Sequence, residues 1–279
     1  MKKVSHSEIS TYLDCQKKWE LQYIKGLKVD NIHLQFGSMA HKVLETRTIP
    51  DETLYPELKE SFEIKSWNNY FTQIFKEIDT WSKENGYEQI KSEYRVETDE
   101  IVGVIDAIWK NIKTNKILIT DYKFSNTDKD AIDVYLDEQM YIYAVAYAYE
   151  NKLSLNDIEI GYINISKSEL GEPRVLKTGQ LSKDKSQSTS YDKYLSKIQE
   201  LGLNVNDYLD VLEELKFKSI THITTSSINL EMAYRIMDNL DKTIKDMRKG
   251  YVLEKCSYLC KRCEYLEYCK YGRKIKDEI

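Results

Sequence analysis

The 279-residue chain is poor in the residues that make linkers. Three prolines and ten glycines leave little material for a hinge, and no low-complexity tract or internal repeat marks a domain boundary. No apolar run approaches the roughly 20 residues of a membrane span. The opening MKKVSHSEISTYLDC has two lysines with no apolar stretch behind them, unlike a secretory leader. A cytoplasmic protein is expected. A basic excess is missing too: 41 Lys and Arg stand against 46 Asp and Glu, a net charge of -5, so no overall positive field advertises a phosphate-tracking surface. A carboxylate-rich site that binds cations would nevertheless offset its own charge. There is no G-x-x-x-x-G-K-[ST] loop, so any unwinding of nucleic acid must come from a partner. Cysteine is scarce, at five residues, and with 41% hydrophobic residues the chain can bury a core without covalent staples. In a reducing compartment, an odd and clustered set of thiols points to metal ligation.

What is present divides by period. HSEISTYLDCQKKWELQYIKGL places Ile9, Tyr12, Leu13, Trp19 and Tyr23 at helical spacing behind Ser5 or Ser7 as a cap, which predicts one helix carrying Cys15. A second helix is expected at FGSMAHKVLETR and a third from about Glu57 to Asn85, ended by Gly86. The period then changes. KSEYRVETDE, IVGVIDAIWK and KILITDYKF are β-branched and partly alternating, as three strands would be. AIDVYLDEQMYIYAVAYAYEN reads as a helix, DIEIGYINI and KSITHITTSSI as strands, and NLEMAYRIMDNLDKTIKDMRKG as a long helix ending at Gly250. The whole is an α/β layered domain with a mixed sheet, one unit over 1–279. Its core is expected over about 1–165, an insertion over about 172–225, and a C-terminal helix with a cysteine cluster over about 228–272.

The strand pair IVGVIDAIWK and KILITDYKF carries the charges that matter. A hairpin loop with an even number of residues puts Asp106 on the same face as Asp121 and Lys123, and an odd loop puts it on the other. Tyr122 points away in either case. Two aspartates and a lysine among Ile and Val are costly to bury unless they pair or bind a cation, and hard oxygen ligands suit Mg²⁺ or Mn²⁺. The plain alternative is an aspartate–lysine ion pair at the strand ends, since D-x-K alone is a weak motif. Two further pairs share helical faces: His41 with Glu45, and Gln139 with Tyr143.

Taken in order, GSMAHKVLE with His41, GVIDAI with Asp106, DYK with Asp121 and Lys123, and QMYIY with Gln139 and Tyr143 resemble the RecB-type branch of the PD-(D/E)xK nuclease superfamily. That branch includes the nuclease domains of recombination helicase–nucleases and the Cas-type nucleases of CRISPR adaptation. ISTYLDCQKKWELQYI also looks like it. The resemblance covers most of 1–165, returns at the C-terminus and is weak between. It implies a restriction-endonuclease-like core whose metal is held by His41, Asp106, Asp121 and the backbone carbonyl of Tyr122. Lys123 would be catalytic, and Gln139 and Tyr143 would position nucleic acid.

The last cysteines read C-x₂-C-x₅-C from Cys260 through Cys263 to Cys269. Iron–sulfur clusters take four thiolates. The resemblance implies a [4Fe–4S] cluster on Cys15, Cys260, Cys263 and Cys269 that clasps the N-terminal helix to the C-terminus. Cys256 permits a rival, a Zn²⁺ site on Cys256, Cys260, Cys263 and Cys269 with Cys15 an ordinary buried thiol.

Two patches are candidates for contact with nucleic acid: Lys177, Lys183, Lys185 and Lys193 with Tyr191 and Tyr194, and Lys17, Lys18 and Trp19. Lysines of this kind are otherwise ordinary solvated surface. The function expected is a metal-dependent DNA nuclease, an exonuclease preferring single-stranded ends, in recombination, repair, replication or phage DNA metabolism. The rival is a non-catalytic nucleic-acid-binding subunit of a helicase or recombination complex.

Overall fold

The sheet begins where the sequence changes period. In the computed structural model, which describes residues 3–29, 31–216, 218–250, 252–253 and 258–269, Gly86 ends a long helix in the left-handed conformation, φ 70°. That is the position where a missing Cβ costs least. Strands β1 (Tyr87–Glu97), β2 (Val102–Asn111), β3 (Ile117–Phe124), β4 (Ile158–Ile165) and β5 (Thr221–Ser227) then lie side by side in chain order. All neighbours are antiparallel except β3 and β4, which are parallel. A parallel step needs a crossover, and α6 (Ala131–Leu136) and α7 (Glu138–Asn151) provide it.

Helices cover both faces. On one, α7, α1 (His6–Asp14) and α10 (Leu230–Arg248) bury Ile9, Ala144 and Ile236 against Ile105, Ile119 and Ile160 of the strands. On the other, α3 (Ile32–Thr46), α4 (Pro56–Ser61) and α5 (Trp67–Asn85) bury Phe36, Leu58 and Trp67 with Trp109, Leu118 and Tyr122. The result is the three-layered α/β arrangement expected from the sequence, consistent with a restriction-endonuclease-like fold. Among the described residues no helix is long and apolar enough to cross a membrane.

Three expected helices are interrupted, each for a local reason. Cys15 does not lie on a helix: its backbone is extended (φ -159°, ψ 108°) between α1 and α2 (Gln16–Trp19), which runs on into a π turn over Glu20–Ile24. The helix expected over Glu57–Asn85 is two, because Glu63 takes φ 54° and the Ser66 side chain caps α5 by accepting from the Asn69 N–H. The helix expected over 131–151 breaks at Asp137, whose extended backbone and capping carboxylate restart it as α7.

Residues 166–220 join the adjacent strands β4 and β5 by a long excursion. It includes α8 (Tyr191–Glu200) and α9 (Leu209–Leu215), and its own small core of Leu181, Tyr194, Ile198 and Val211. Tyr194 is fully buried there, so it is a core residue and not a stacking platform. Lys193 donates to the Leu170 carbonyl at 2.6 Å, Lys183 lies over the Tyr208 ring, and Lys185 approaches Asp210 at 3.7 Å. In the second patch Trp19 is buried and donates to Glu8, while Lys17 pairs with Glu20 and Lys18 with Glu264. The aromatic members of both patches thus serve packing first.

The β2–β3 register is fixed from inside. The Trp109 indole N–H donates to Thr120 Oγ1 at 3.0 Å, and that hydroxyl donates to the Ala107 carbonyl at 3.3 Å. Both side chains are buried. Replacing Thr120 by Val keeps the shape but orphans the indole N–H; an unmet buried donor costs about 1–3 kcal/mol. Urea unfolding of Thr120→Val is expected to show a loss in that range.

Candidate active site

The ladder between β2 and β3 runs from Lys110–Ile117 to Ala107–Thr120 and no further. Beyond it β2 keeps pairing with β1 as far as Val102, and β3 with β4 as far as Phe124. The sheet therefore forks, and Asp106 and Asp121 are the first residues past the last rung. Four residues separate Asn111 from Lys116, whose carbonyl accepts the Asn111 N–H at 2.8 Å. The loop is even, which is the condition under which the two aspartates meet.

At the fork a side chain takes over from the backbone. Asp106 Oδ2 accepts the Tyr122 N–H at 2.7 Å, a donor the interrupted ladder would otherwise leave unmet. Asp106 Oδ1 lies 3.3 Å from His41 Nδ1 on α3. Asp121 is held from the other face: Lys123 Nζ is 2.7 Å from its Oδ2, and Gln139 Nε2 donates to its Oδ1 at 3.0 Å. Each aspartate is 7% exposed. The fork thus gathers His41 and Gln139, one from each helical layer, beside Asp106, Asp121 and Lys123 of the strands. Tyr122 contributes its backbone there while its ring packs edge-on to His41, 5.8 Å between centroids.

The charges are strongly coupled. Burial raises the Asp121 carboxyl, and the Asp106 charge adds to it, against Lys123 and His41, leaving it at about 6. Burial alone would lower His41, but its hydrogen bond to Asp106 and the charges of Asp106, Asp121 and Glu93 outweigh that and raise it. Burial likewise works against the Lys123 ammonium, yet Asp121, aided by Asp137 and Asp106, raises its pKa. Crowded carboxylates thus favour positive charge beside them, and a divalent cation would supply more of it.

Two supports lie beneath Lys123 that the sequence reading did not single out. Its ammonium sits 5.1 Å from the centroid of the Tyr162 ring, and the Tyr162 hydroxyl donates to Asp137, the residue that breaks the expected helix. Tyr143 is buried against Gly103 and linked to Gln139. Glu93 on β1 was also missed. One ligand atom from each of His41, Glu93 and Asp106 falls within 4.8 Å of the others, and a cleft of about 480 Å³ lined by His33, Ser38, His41, Lys42 and Glu93 opens onto the group.

The cysteines fall at the opposite ends of the chain, and their neighbourhoods touch. The Leu253 N–H donates to Gln16 Oε1 at 2.7 Å, the Tyr265 hydroxyl donates to the Leu27 carbonyl at 3.1 Å, and Lys18 pairs with Glu264 at 3.0 Å. Burial raises the Cys263 thiol, and Cys15 is among the groups acting on it. Cys15, Cys260, Cys263 and Cys269 are not disulfide-bonded. Cys256, the residue on which the zinc alternative turns, lies outside the described residues.

A family model described as the PD-(D/E)XK nuclease superfamily matches residues 3–270. No curated protein matches. Among solved structures the chain is similar to a candidate exonuclease from Eubacterium rectale at 12% identity, covering 93% of this chain and 92% of that one with a TM-score of 0.36. It is similar also to SSO0001 at 13% identity, covering 85% and 97% with a TM-score of 0.26.

The support behind Asp121 is tight at one point. A Cβ on Gly103 would lie 2.4 Å from Tyr143 Cε1. Gly103→Ala must displace that ring, and overpacking of this kind costs roughly 1–3 kcal/mol. A lower midpoint in urea, with an unchanged slope, is the expected result.

Proposed function

Since the chain belongs to the PD-(D/E)XK nuclease superfamily, we propose that it is a Mg²⁺- or Mn²⁺-dependent DNA exonuclease, acting on DNA ends with a preference for single strands, in recombination, repair, replication or phage DNA metabolism. The observation that carries the reading is the convergence of Asp106, Asp121 and Lys123 at the fork of an otherwise apolar sheet. A subunit that only bound DNA would have no physical reason to bury those charges side by side. The preference for single strands is carried over from the nuclease branch that the sequence resembles.

The donor set fits a hard divalent cation: an imidazole, two carboxylates and a carbonyl, from His41, Asp106, Asp121 and Tyr122. The cation would supply Lewis acidity and charge neutralisation at the scissile phosphate. The chain's own residues do the rest. Asp106 holds β3 through the Tyr122 N–H and so sets where the Tyr122 carbonyl lies. Gln139, backed by Tyr143, fixes the rotation of the Asp121 carboxylate. Lys123, its proton retained by Asp121 and Asp137, acts as a fixed positive charge beside the phosphate and not as a base. Where a duplex end must be opened, a helicase or recombination protein would deliver the strand.

The cysteines belong to the same proposal as a structural [4Fe–4S] cluster on Cys15, Cys260, Cys263 and Cys269. The contacts of Gln16, Lys18 and Leu27 with Leu253, Glu264 and Tyr265 support it, as does the break that takes Cys15 out of the helix. Anaerobic preparations are expected to be brown, with about four irons per chain; a colourless zinc protein would instead favour the set containing Cys256.

The test of the enzyme is release of label from end-labelled single- and double-stranded DNA with Mn²⁺ or Mg²⁺. Cleavage is expected to need the metal, to favour single strands and to fall at least about 100-fold in Lys123→Ala. A folded, metal-loaded protein that leaves both substrates intact would overturn the nuclease reading.

A further inference from the structure

Glu93 has a backbone that its local structure does not require. Among the described residues, six non-glycine residues have positive φ. Arg47, Tyr55 and Lys152 cap helices, Glu63 ends the turn after α4, and Asn115 sits in the β2–β3 loop, all places where the left-handed conformation closes a turn. Glu93, at φ 46°, lies inside strand β1. Its neighbours pair normally, Ser92 with Ala107 and Tyr94 with Ile105, so the chain leaves the pleat for one residue and returns to it. A residue with a Cβ in this region is strained, and such strain persists only where the surroundings hold it in place.

The departure brings the Glu93 carboxylate to Asp106, across from it on β2, and to His41 on α3, with the three ligand atoms within 4.8 Å. The location is poor for an anion. Glu93 is half-buried beside a buried aspartate, and the nearest lysine on α3, Lys42, pairs with Glu45 at 2.7 Å. Two carboxylates and an imidazole turned toward one point, open to solvent through the cleft, suit a hard divalent cation.

We propose that Glu93 is a ligand of the divalent cation, and that the left-handed backbone at this position in β1 serves to aim its carboxylate at His41 and Asp106. The proposal rests on the nuclease reading and adds to it a donor from a third strand. It makes the cation's grip depend on β1 as well as on the fork between β2 and β3. Strain and ligation are then two sides of one arrangement: the strand gives up regular pairing at residue 93, and the cation's binding free energy compensates.

The test is direct titration with Mn²⁺, read by calorimetry or by the spin-resonance signal of free Mn²⁺, on the full chain and three variants. Glu93→Gln is expected to weaken Mn²⁺ by roughly tenfold or more, while Glu88→Gln, at an exposed position on the same strand, is expected to leave it unchanged. Glu93→Gly removes the carboxylate and the strain together. It should lose Mn²⁺ affinity like Glu93→Gln, yet melt, without metal, about 2 °C or more above Glu93→Gln. Unchanged Mn²⁺ affinity in folded Glu93→Gln would overturn the proposal and leave the nuclease reading in place. Glu93→Gly melting below Glu93→Gln would overturn the role of the strain. A wild-type chain that neither binds Mn²⁺ nor cuts DNA would sink the nuclease reading itself.

Discussion

The fork depends on one hydrogen bond, from the Tyr122 N–H to the Asp106 carboxylate at 2.7 Å. Where β2 and β3 part company, a buried backbone donor loses its ladder partner, and an orphan of that kind is expensive. Asp106 supplies the acceptor, so β3 continues straight along β4 while β2 continues along β1. The same carboxylate keeps its other oxygen for His41. A residue that holds the fork open is thus also the residue that faces whatever enters it. Removing it would disturb fold and chemistry together, whereas the Lys123 side chain meets Asp121 and the Tyr162 ring and separates the two effects.

Around this bond the two helical layers divide the work. Helix α3, on the side of Trp67 and Phe71, brings His41 to Asp106; helix α7, on the side of Ile119 and Ile160, brings Gln139 to Asp121. Neither layer makes the site alone. Lys123 is held by Asp121 in front and by the face of Tyr162 behind, and Tyr162 is tied to Asp137, the cap of the helix that carries Gln139. The helix break at Asp137 therefore serves the lysine and the aspartate at once. Elsewhere, the contacts of Gln16, Lys18 and Leu27 with Leu253, Glu264 and Tyr265 join distant parts of the chain, which is where a metal clasp would stabilise most by loop closure.

Much of this was legible in the residues. The mixed sheet and its helical layers follow from the changes of period, while the meeting of Asp106 with Asp121 and Lys123 hung on a loop parity that the residues left open and that the Asn111–Lys116 closure makes even. Spacing paired His41 with Glu45 and Gln139 with Tyr143 on their helices, and only the family resemblance put His41 and Gln139 at the site. The parts that were not legible share a cause: they depend on single backbone departures that leave no periodic trace. Glu93 looks like an ordinary outward acid in an alternating strand until its φ is known. Asp137 and Cys15 look like helical residues until a cap or an extended link is seen. Tyr194 and Trp19 read as surface aromatics because lysines surround them in sequence, yet each is buried by elements distant in the chain. Periodicity reports an average over a turn or two; sites are built where the average fails.

The central claim is that the fork is a divalent-cation site, and the most direct measurement is anomalous scattering from crystals soaked in Mn²⁺. The account predicts a peak at bonding distance from an Asp106 oxygen, with His41 among the other ligands. A well-diffracting soaked crystal with no peak at the fork, or with manganese only elsewhere on the molecule, would contradict it.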